Sequence, residues 1–185
     1  MPAVRRPNRG PSAAAENRAA LMAAARVVFA DAGYDAPLSA VARVAGVGQG
    51  SLYRHFPDRV SLALAVFEDS VADLEALAAE PGTTLADVLD LLTEQAIAST
   101  AFINMVSVPP EPDPRIVEVR DRVAGVLESG LPEARRAGHV RADMTADDLV
   151  LAVGMLAGLL ARIPAAERAP AAEQMWRLLR RGIEP

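Results

Sequence analysis

Apolar residues recur every three or four positions through most of the chain, and glycines and prolines separate the resulting segments. This period is typical of amphipathic α-helices, so the pattern predicts an all-α fold. We expect a break or kink at Gly130-Leu131-Pro132. The predicted helices cover residues 14–32, 39–45, 49–56, 59–79, 84–108, 113–138, 146–163 and 170–182.

Residues with known capping preferences mark the ends of these helices. Gly33 and Gly46 are expected to end their helices in the left-handed backbone conformation, and Pro57 and Pro164 forbid continuation. The helix over 59–79 is apolar along its length and can run from one domain into another. The side chains expected to cap N-termini are Ser39, Asp58, Thr84 with Asp87, Asp113 ahead of Pro114, and Thr145 with Asp148.

The second and third predicted helices are short and joined by a glycine-rich turn, which is the layout of a DNA-reading helix-turn-helix. Val41, Ala42 and Ala45 give the second helix an apolar face. Leu52 and Phe56 anchor the third helix at i, i+4. Polar and aromatic side chains on the free side of a short anchored helix are what a major-groove reader needs. Here they are Gln49, Ser51, Tyr53, Arg54 and His55.

The formal net charge of −5 conceals a segregation of charge along the chain. Residues 1–60 contain eight arginines and four acidic residues, whereas the remainder contains eleven arginines and twenty acidic residues. Neutralising DNA phosphates requires a local basic face rather than a basic protein. Because the basic part coincides with the predicted helix-turn-helix, the charge pattern favours nucleic-acid binding.

Composition and length exclude several other classes of protein. A chain of 185 residues with 51% hydrophobic content can form one ordinary core or two small ones. The absence of cysteine excludes disulfides and thiolate metal sites, and two histidines argue against a zinc site. No nucleophile or acid–base constellation is visible, so we expect neither an enzyme nor a cofactor. The longest apolar stretch, 149–161, is too short to span a bilayer and no secretory h-region is present, so we expect a soluble, cytoplasmic protein without a membrane partner.

A family resemblance adds to this interpretation. The run Val-Ala-Arg-Val-Ala-Gly-Val-Gly-Gln-Gly-Ser-Leu-Tyr-Arg-His-Phe-Pro over residues 41–57, with Val28-Phe29 and Gly33 upstream, closely resembles the N-terminal domain of TetR-family transcriptional regulators. The resemblance covers residues 16–67 and is specific, because many residue types stand at fixed spacing. Two features depart from the family: Arg59 stands where lysine is common, and the basic arm before residue 16 is unusually long. Both keep or add positive charge.

The resemblance implies an architecture and a function. It implies a three-helix helix-turn-helix DNA-binding domain joined by a long fourth helix to a C-terminal helical ligand-binding and dimerisation domain. It further implies a homodimer that binds palindromic double-stranded operator DNA, acts as a repressor and responds to a small, mainly apolar effector. The expected divisions are a flexible basic arm over 1–13, the DNA-binding domain over 14–58 and the second domain over 59–185. The alternative is a helical dimeric small-molecule-binding protein without specific operator recognition.

The expected DNA contacts lie on and beside the two short helices. Gln49 can form two hydrogen bonds to adenine, while its flanking glycines equally suit close approach of the backbone to phosphate. Tyr53 and His55 suit phosphate contact, and Arg43 suits phosphate, a base or a solvated helix face. The arginines at positions 5, 6 and 9 form either a solubilising tail or an arm that enters the minor groove. The expected contact set is Ser39, Arg43, Gly48, Gln49, Ser51, Tyr53, Arg54, His55 and Arg59.

An effector cavity is expected among the helices that follow residue 59. Each candidate lining residue is also compatible with ordinary core packing, and Asn104 is the candidate polar group that would orient a ligand. An effector held there would tilt the helix over 59–79 and change the separation of the two recognition helices. The candidate ligand-binding residues are Phe67, Phe102, Asn104, Met105, Val106, Val123, Leu127, Met155 and Leu159.

The apolar helix over 146–163 is the expected dimer helix. Gly154 and Gly158 lie four residues apart on one face, where they allow close approach of a second helix. We expect this helix and the last one, with Trp176 and Leu179, to pack against their copies in a two-fold dimer. The alternative is tight packing inside a monomer.

Overall fold

The computed structural model describes residues 11–98 and 113–183 of the chain. The described residues form eight α-helices and contain no β-strand, which confirms the all-α prediction. None of these helices is both long enough and apolar enough to cross a membrane. The helices are α1 (Pro11–Ala32), α2 (Leu38–Val44), α3 (Gln49–His55), α4 (Arg59–Ala79), α5 (Leu85–Ala98), α6 (Pro114–Arg136), α7 (Ala146–Leu160) and α8 (Ala165–Ile183).

The first three helices and the first turns of α4 surround one apolar core. Leu21 and Phe29 of α1, Leu52 of α3 and Leu62 of α4 are almost fully buried in it. Beyond this core, α4 continues into a second helical assembly, where it packs along α6. Leu74 of α4 belongs to the core of this second assembly, so one rigid helix contributes to both cores.

Most predicted helix ends are confirmed. Gly33 and Gly46 have φ values of +79° and +65°, the left-handed conformation that glycine adopts without a Cβ penalty. Asp58 caps α4 by accepting a hydrogen bond from the Ser61 amide at 2.6 Å. Reciprocal capping bonds join Thr84 with Asp87 and Thr145 with Asp148, and Asp113 caps α6.

The predicted cap at Ser39 is wrong. Helix α2 begins at Leu38 with Pro37 in the N-cap position, and no side chain caps it. Proline fixes φ near the value that the chain needs before the first turn of a helix. Helix α2 can therefore begin at Leu38, ahead of Ser39, its only hydroxyl-bearing residue. Ser39 instead lies inside the first turn of α2 and is exposed.

Of the break or kink predicted in α6, the break is wrong, because the helix continues through Pro132. Leu131 is fully buried, and a Cβ at Gly130 would lie 3.3 Å from the Leu85 Cβ, so this turn of α6 packs closely against α5. Pro132 itself is exposed, as is Glu128, and water can reach the carbonyl that loses its N–H partner. Tertiary packing therefore outweighs the local helix-breaking tendency.

The boundaries of the last two helices differ from the predicted ones. Helix α7 ends at Leu160, three residues before the predicted end. Ile163 precedes Pro164, and a residue before proline avoids the α conformation. Helix α8 begins at Ala165, and Pro170 lies within it on the exposed side. The earlier start allows Arg168 to reach the carbonyl oxygens of neighbouring helices, a contact described below.

Candidate DNA interface and apolar cavity

Helix α3 is anchored by one side and presents the other to solvent, as predicted from the sequence. Leu52 and the following Phe56 are buried against α1 and α4. Gln49 and Arg54 are exposed, and Tyr53 is 52% exposed, which is high for a large aromatic side chain. Ser51 and His55 are half-buried beside them.

Helix α2 adds a second polar row next to α3. Ser39 and Arg43 lie at i, i+4 and are both exposed, while Val41 and Ala42 face the core. Neither Arg43 nor Arg54 forms an ion pair with another residue in the described part of the chain. The two guanidinium groups are therefore available to a ligand of negative charge.

Two glycines flank Gln49 at the start of α3, and the fold itself requires neither. Gly48 has φ −65°, an ordinary value for any residue. A Cβ built on Gly48 or Gly50 would meet no atom of the described chain within 4 Å. The absence of side chains at these positions leaves the backbone at the start of α3 open to close approach by another molecule.

Arg59 does not join the exposed row of α2 and α3. Its Nη1 donates hydrogen bonds to the main-chain oxygens of Tyr34 and Ala36, the latter at 2.6 Å, and its guanidinium lies 5.4 Å from the Tyr34 ring centroid. Burial raises the pKa of the Tyr34 hydroxyl, and the neighbouring Arg59 charge opposes that rise. Arg59 thus holds the α1–α2 loop to the start of α4, and we omit it from the DNA-contact set.

Arg18 of α1 is a basic residue at this surface that the sequence analysis missed. Its guanidinium lies 5.3 Å from the ring centroid of Phe56, at the end of α3. The side chain is exposed, so a cation from α1 stands beside the C-terminal end of the recognition helix. Helical spacing within α1 could not reveal this neighbourhood, since it depends on how α1 packs against α3.

An apolar cavity of about 200 Å³ lies between α4, α5, α6 and α7. Of the predicted ligand residues, Phe67 and Val123 line it. Leu127 is fully buried in the core formed by residues of α4, α5, α6 and α7. Met155 and Leu159, in contrast, are exposed on the outer side of α7. The remaining four predicted residues, Phe102, Asn104, Met105 and Val106, lie outside the described residues.

Four polar side chains that the sequence analysis did not select also line the cavity: Arg26, Ser70, Gln95 and Arg120. Helical spacing could have indicated two of them, because Ser70 follows Phe67 by three positions and Arg120 precedes Val123 by three. Arg26 comes from α1 and Gln95 from α5, and no local pattern places either at this cavity.

Comparison with known proteins identifies the family. The family model for bacterial regulatory proteins of the tetR family matches residues 21–66. The crystal structure of the TetR transcriptional regulator SCO0520 from Streptomyces coelicolor is similar, with 30% identity, 91% of this chain and 98% of that chain covered, and a TM-score of 0.59. The chain belongs to the TetR family. It is therefore a DNA-binding transcriptional regulator with a helix-turn-helix and not an enzyme.

Two further TetR-like structures share the fold. A γ-butyrolactone receptor, described as an ArpA-like protein, is 24% identical over 94% of this chain and 90% of its own, with a TM-score of 0.61. The TetR-family protein CprB from Streptomyces coelicolor, solved with its operator, is 24% identical over 94% of this chain and 91% of its own, with a TM-score of 0.65. Among curated proteins, none matches this chain.

In this TetR-family chain, α7 and α8 carry an exposed apolar surface. Leu151, Met155 and Leu159 follow one another at i, i+4 on α7. Gly154 and Gly158 lie between them, and a Cβ at either glycine would meet nothing within 4 Å. Leu178 of α8 is also exposed, by 61%. We call the α7 residues of this surface the outer apolar face; it consists of Leu151, Gly154, Met155, Gly158 and Leu159.

Trp176 is not part of the outer apolar face, which corrects its predicted place at the dimer interface. It is only 9% exposed, and its indole N–H donates to the Thr93 Oγ1 at 2.7 Å. Leu179 is half-buried: it packs against the same inner cluster and also lines a surface depression with Leu151 and Met155, so its place at the dimer contact stays a prediction. A buried indole N–H needs a hydrogen-bond acceptor, and the Thr93 hydroxyl of α5 provides one within the same chain.

The TetR-like DNA-binding core receives a residue from the second half of the chain. Ile116, in the first turn of α6, is buried among the residues of α1 to α4. Nearby, Arg115 pairs with Asp113 at 2.7 Å and lies 3.7 Å from Asp58, so it connects the caps of α6 and α4. The hydrogen bonds from Arg115 lower the pKa of Asp113, while the Ser61 hydroxyl and amide lower that of Asp58. The two halves therefore share both apolar and polar contacts.

Proposed function

We propose that this TetR-family regulator is a ligand-responsive repressor that binds a palindromic operator as a homodimer. A small, mainly apolar effector in the cavity would weaken the operator complex. The observation that carries the ligand response is the position of Val66, which is buried in the DNA-binding core and also lines the cavity. A molecule in the cavity would thus touch a residue of the DNA-binding core directly.

The proposed DNA-contacting residues are the exposed and half-buried polar residues of α2 and α3, together with Gly48 before α3. Gln49 reads a base, Arg43 and Arg54 neutralise phosphates, and the hydroxyl of Tyr53 donates to a phosphate oxygen. Exposure of these residues and the open backbone at Gly48 and Gly50 support this assignment. The set is Ser39, Arg43, Gly48, Gln49, Ser51, Tyr53, Arg54 and His55.

The proposed dimer contact is the outer apolar face of α7, with Leu179 of α8 beside Leu151 and Met155. Exposed leucines aligned along a helix are typical of an interaction surface, and two glycines among them allow a second helix to approach closely. In a two-fold dimer, the same face of each protomer lies in the contact. The outer apolar faces of the two protomers therefore cover each other.

We propose that α4 and α6 transmit the effector signal. Helix α4 carries Val66 and Phe67 beside the cavity, and α6 carries Ile116 in the DNA-binding core and Val123 at the cavity. The proposed boundary between the two domains lies between residues 58 and 59. Val66 and Ile116 follow it in sequence but contribute to the DNA-binding core. The two recognition helices must match half-sites spaced by roughly 34–36 Å or a multiple of this distance. A small tilt of α4 would therefore cost several DNA contacts at once.

Titration of a palindromic duplex from the DNA flanking the coding region tests the DNA contacts. Arg54→Gln should weaken binding to every duplex and lower the log–log salt slope by about 0.9, the value for one phosphate contact. Gln49→Ala should relax choice among operator variants at a cost of roughly 1–3 kcal/mol. Arg177→Gln, an exposed arginine on α8, is the control for charge alone. Unchanged affinity and slope in both interface variants would contradict the assignment.

A further inference from the structure

We infer that the effector of this cavity is a small amphipathic anion, whose apolar body fills the cavity and whose anionic head group is held by Arg120. The inference rests on the proposed function, because it takes the cavity to be the effector site. It adds the chemical class of the ligand and the residue that selects it.

The charge of the cavity wall is opposite to that of the protein. The chain contains 24 acidic and 19 basic residues. Among the described residues that line the cavity, however, there are two arginines and no aspartate or glutamate. A cavity with this lining attracts anions even though the whole chain is acidic.

Arg120 is the arginine that is free to bind a ligand. It forms no ion pair with any residue in the described ranges. The acidic residues of α4 that face α6 are engaged by Arg122 instead, which contacts Glu68 at 2.5 Å and Glu75 at 2.8 Å. Glu68 and Glu75 thus have a partner in Arg122, and the donors of Arg120 are not taken up by a carboxylate of the described ranges.

Arg26 supplies a second and weaker positive group. Its Nη2 lies 2.6 Å from the Asp69 Oδ2, and both side chains are about half exposed. An exposed pair of this kind holds its partners loosely. An anion bound between Arg26 and Arg120 would compete with Asp69 for the Arg26 guanidinium, and Arg26 belongs to α1 of the DNA-binding domain.

The uncharged polar groups of the cavity also favour an acceptor. The Gln95 Nε2 donates to the Ser70 main-chain oxygen at 3.0 Å, and an amide nitrogen has a second N–H to offer. The Ser70 hydroxyl can donate as well. The rest of the lining is aliphatic or aromatic, including Val66, Phe67, Leu92, Val123 and Val153.

The size of the cavity limits the apolar body. A volume of about 200 Å³ is below the usual range of roughly 300–1,000 Å³ for drug-sized ligands. Such a volume suits a short apolar body rather than a long one. A medium-chain carboxylate has this size and charge, and octanoate is therefore the probe that we choose.

Calorimetric titration of the full chain with octanoate and with γ-octalactone separates charge from size. The two probes contain the same numbers of carbon and oxygen atoms, but only octanoate is an anion at neutral pH. Octanoate should bind about tenfold more tightly, the effect expected of one hydrogen-bonded charge pair. Arg120→Gln should remove this preference and leave the affinity for the lactone unchanged. Raising the salt concentration should reduce the preference in the wild type.

Arg136→Gln is the matched control, since Arg136 is an exposed arginine on the same helix that does not line the cavity. It should bind both probes as the wild type does. Equal affinity for the two probes, tighter binding of the lactone, or binding of neither would overturn the inference. Persistence of the octanoate preference in Arg120→Gln would overturn the role of that residue.

Operator titration with and without octanoate keeps this inference distinct from the proposed function. An octanoate preference that depends on Arg120, without any change in operator affinity, would support the ligand class and contradict the proposed ligand response. Loss of operator affinity with the lactone alone would support a ligand response and contradict the anion. Specific operator binding without any probe tests the DNA-binding function independently of both.

Discussion

The guanidinium of Arg168 in α8 donates hydrogen bonds to the main-chain oxygen of Ala30 in the last turn of α1, with 3.4 Å from Nη1 and from Nη2. Nη1 also donates to the Ile97 oxygen in α5 at 3.4 Å. Arg168 is only 8% exposed, and its Nε has no partner among the described residues. A buried cation thus lies at the C-terminal end of α1, where carbonyl groups lack partners and the helix dipole is negative, and joins it to α5.

Substitutions of Arg168 should separate the effect of its charge from that of its hydrogen bonds. Arg168→Lys keeps a buried cation but cannot reach both carbonyls, so we expect a loss of about 1–3 kcal/mol in the free energy of unfolding. Arg168→Met removes the charge and its desolvation cost together, so it should destabilise the protein less than lysine does. Urea unfolding of the three proteins measures this order. A lysine variant as stable as the wild type would contradict the role given to these bonds.

Gly50→Ala should improve the fold and impair DNA binding. A Cβ at Gly50 meets nothing in the described chain, and alanine favours a helix over glycine by up to about 1 kcal/mol. The same Cβ would stand between the start of α3 and a phosphate, so operator affinity should fall several-fold. Thermal melting and operator titration are measured on the same protein samples.

Gly125→Ala is the control for Gly50→Ala, because Gly125 is an exposed helical glycine on α6 that also has open space around it. It should gain similar stability and bind the operator normally. If Gly50→Ala and Gly125→Ala bind the operator equally well, α3 does not approach DNA through its backbone at this position.

Gly158→Leu should disrupt the dimer without disturbing the protomer. A Cβ at Gly158 has no atom of the described chain within 4 Å, so a larger side chain starts in open space in the protomer. In a close helix contact, overpacking costs typically 1–3 kcal/mol, and each copy contributes the change. The dimer dissociation constant should therefore rise at least about tenfold in sedimentation equilibrium, and operator affinity should fall with it.

Gly125→Leu adds the same side chain to α6, away from the outer apolar face, and should remain dimeric. A wild-type protein that is monomeric at micromolar concentration would refute the proposed interface. So would a Gly158→Leu protein that dimerises and binds the operator unchanged.

The cap at Asp58 predicts a pH-dependent stability difference. Loss of an N-cap in Asp58→Ala should cost about 1 kcal/mol at neutral pH. The pKa of Asp58 is lowered in the folded protein by hydrogen bonds from Ser61, so its contribution is present above the unfolded pKa of about 3.9 and is lost as the pH falls through the lower folded value. The difference between wild type and variant should therefore shrink in acid.

Asp73→Ala, an exposed substitution within α4, controls for the removal of a carboxylate from this helix. Its difference from the wild type should not shrink in the same way. A difference for Asp58→Ala that stays constant from neutral pH to below pH 3 would show that the carboxylate does not act as the cap.

Local signals were sufficient to predict most helix ends of the DNA-binding domain and the buried side of α3. Gly33, Gly46 and Asp58 define helix ends through their own backbone preferences, and Leu52 with Phe56 identifies the buried side of α3 through spacing alone. Such information lies within a few residues of the feature that it determines. The bounds of α4 were therefore predicted correctly.

The contacts between the two halves could not be predicted in this way. Arg26 meets Asp69, Ile116 enters the DNA-binding core, and Arg168 reaches Ala30 across a separation of 138 residues in sequence. None of these pairs follows from a helical period, because each depends on how distant helices pack. Pro132 failed as a helix-ending signal for the same reason, since packing holds its helix together.

Specific operator recognition is what separates this regulator from a helical protein that binds only small molecules. Fluorescence anisotropy would compare binding of the wild-type protein to the palindromic duplex and to a scrambled duplex of the same length across a salt series. We predict affinity for the palindrome at least about 10³-fold tighter at physiological salt, with both affinities falling as salt rises. Equal affinity for the two duplexes at every salt concentration would contradict the account.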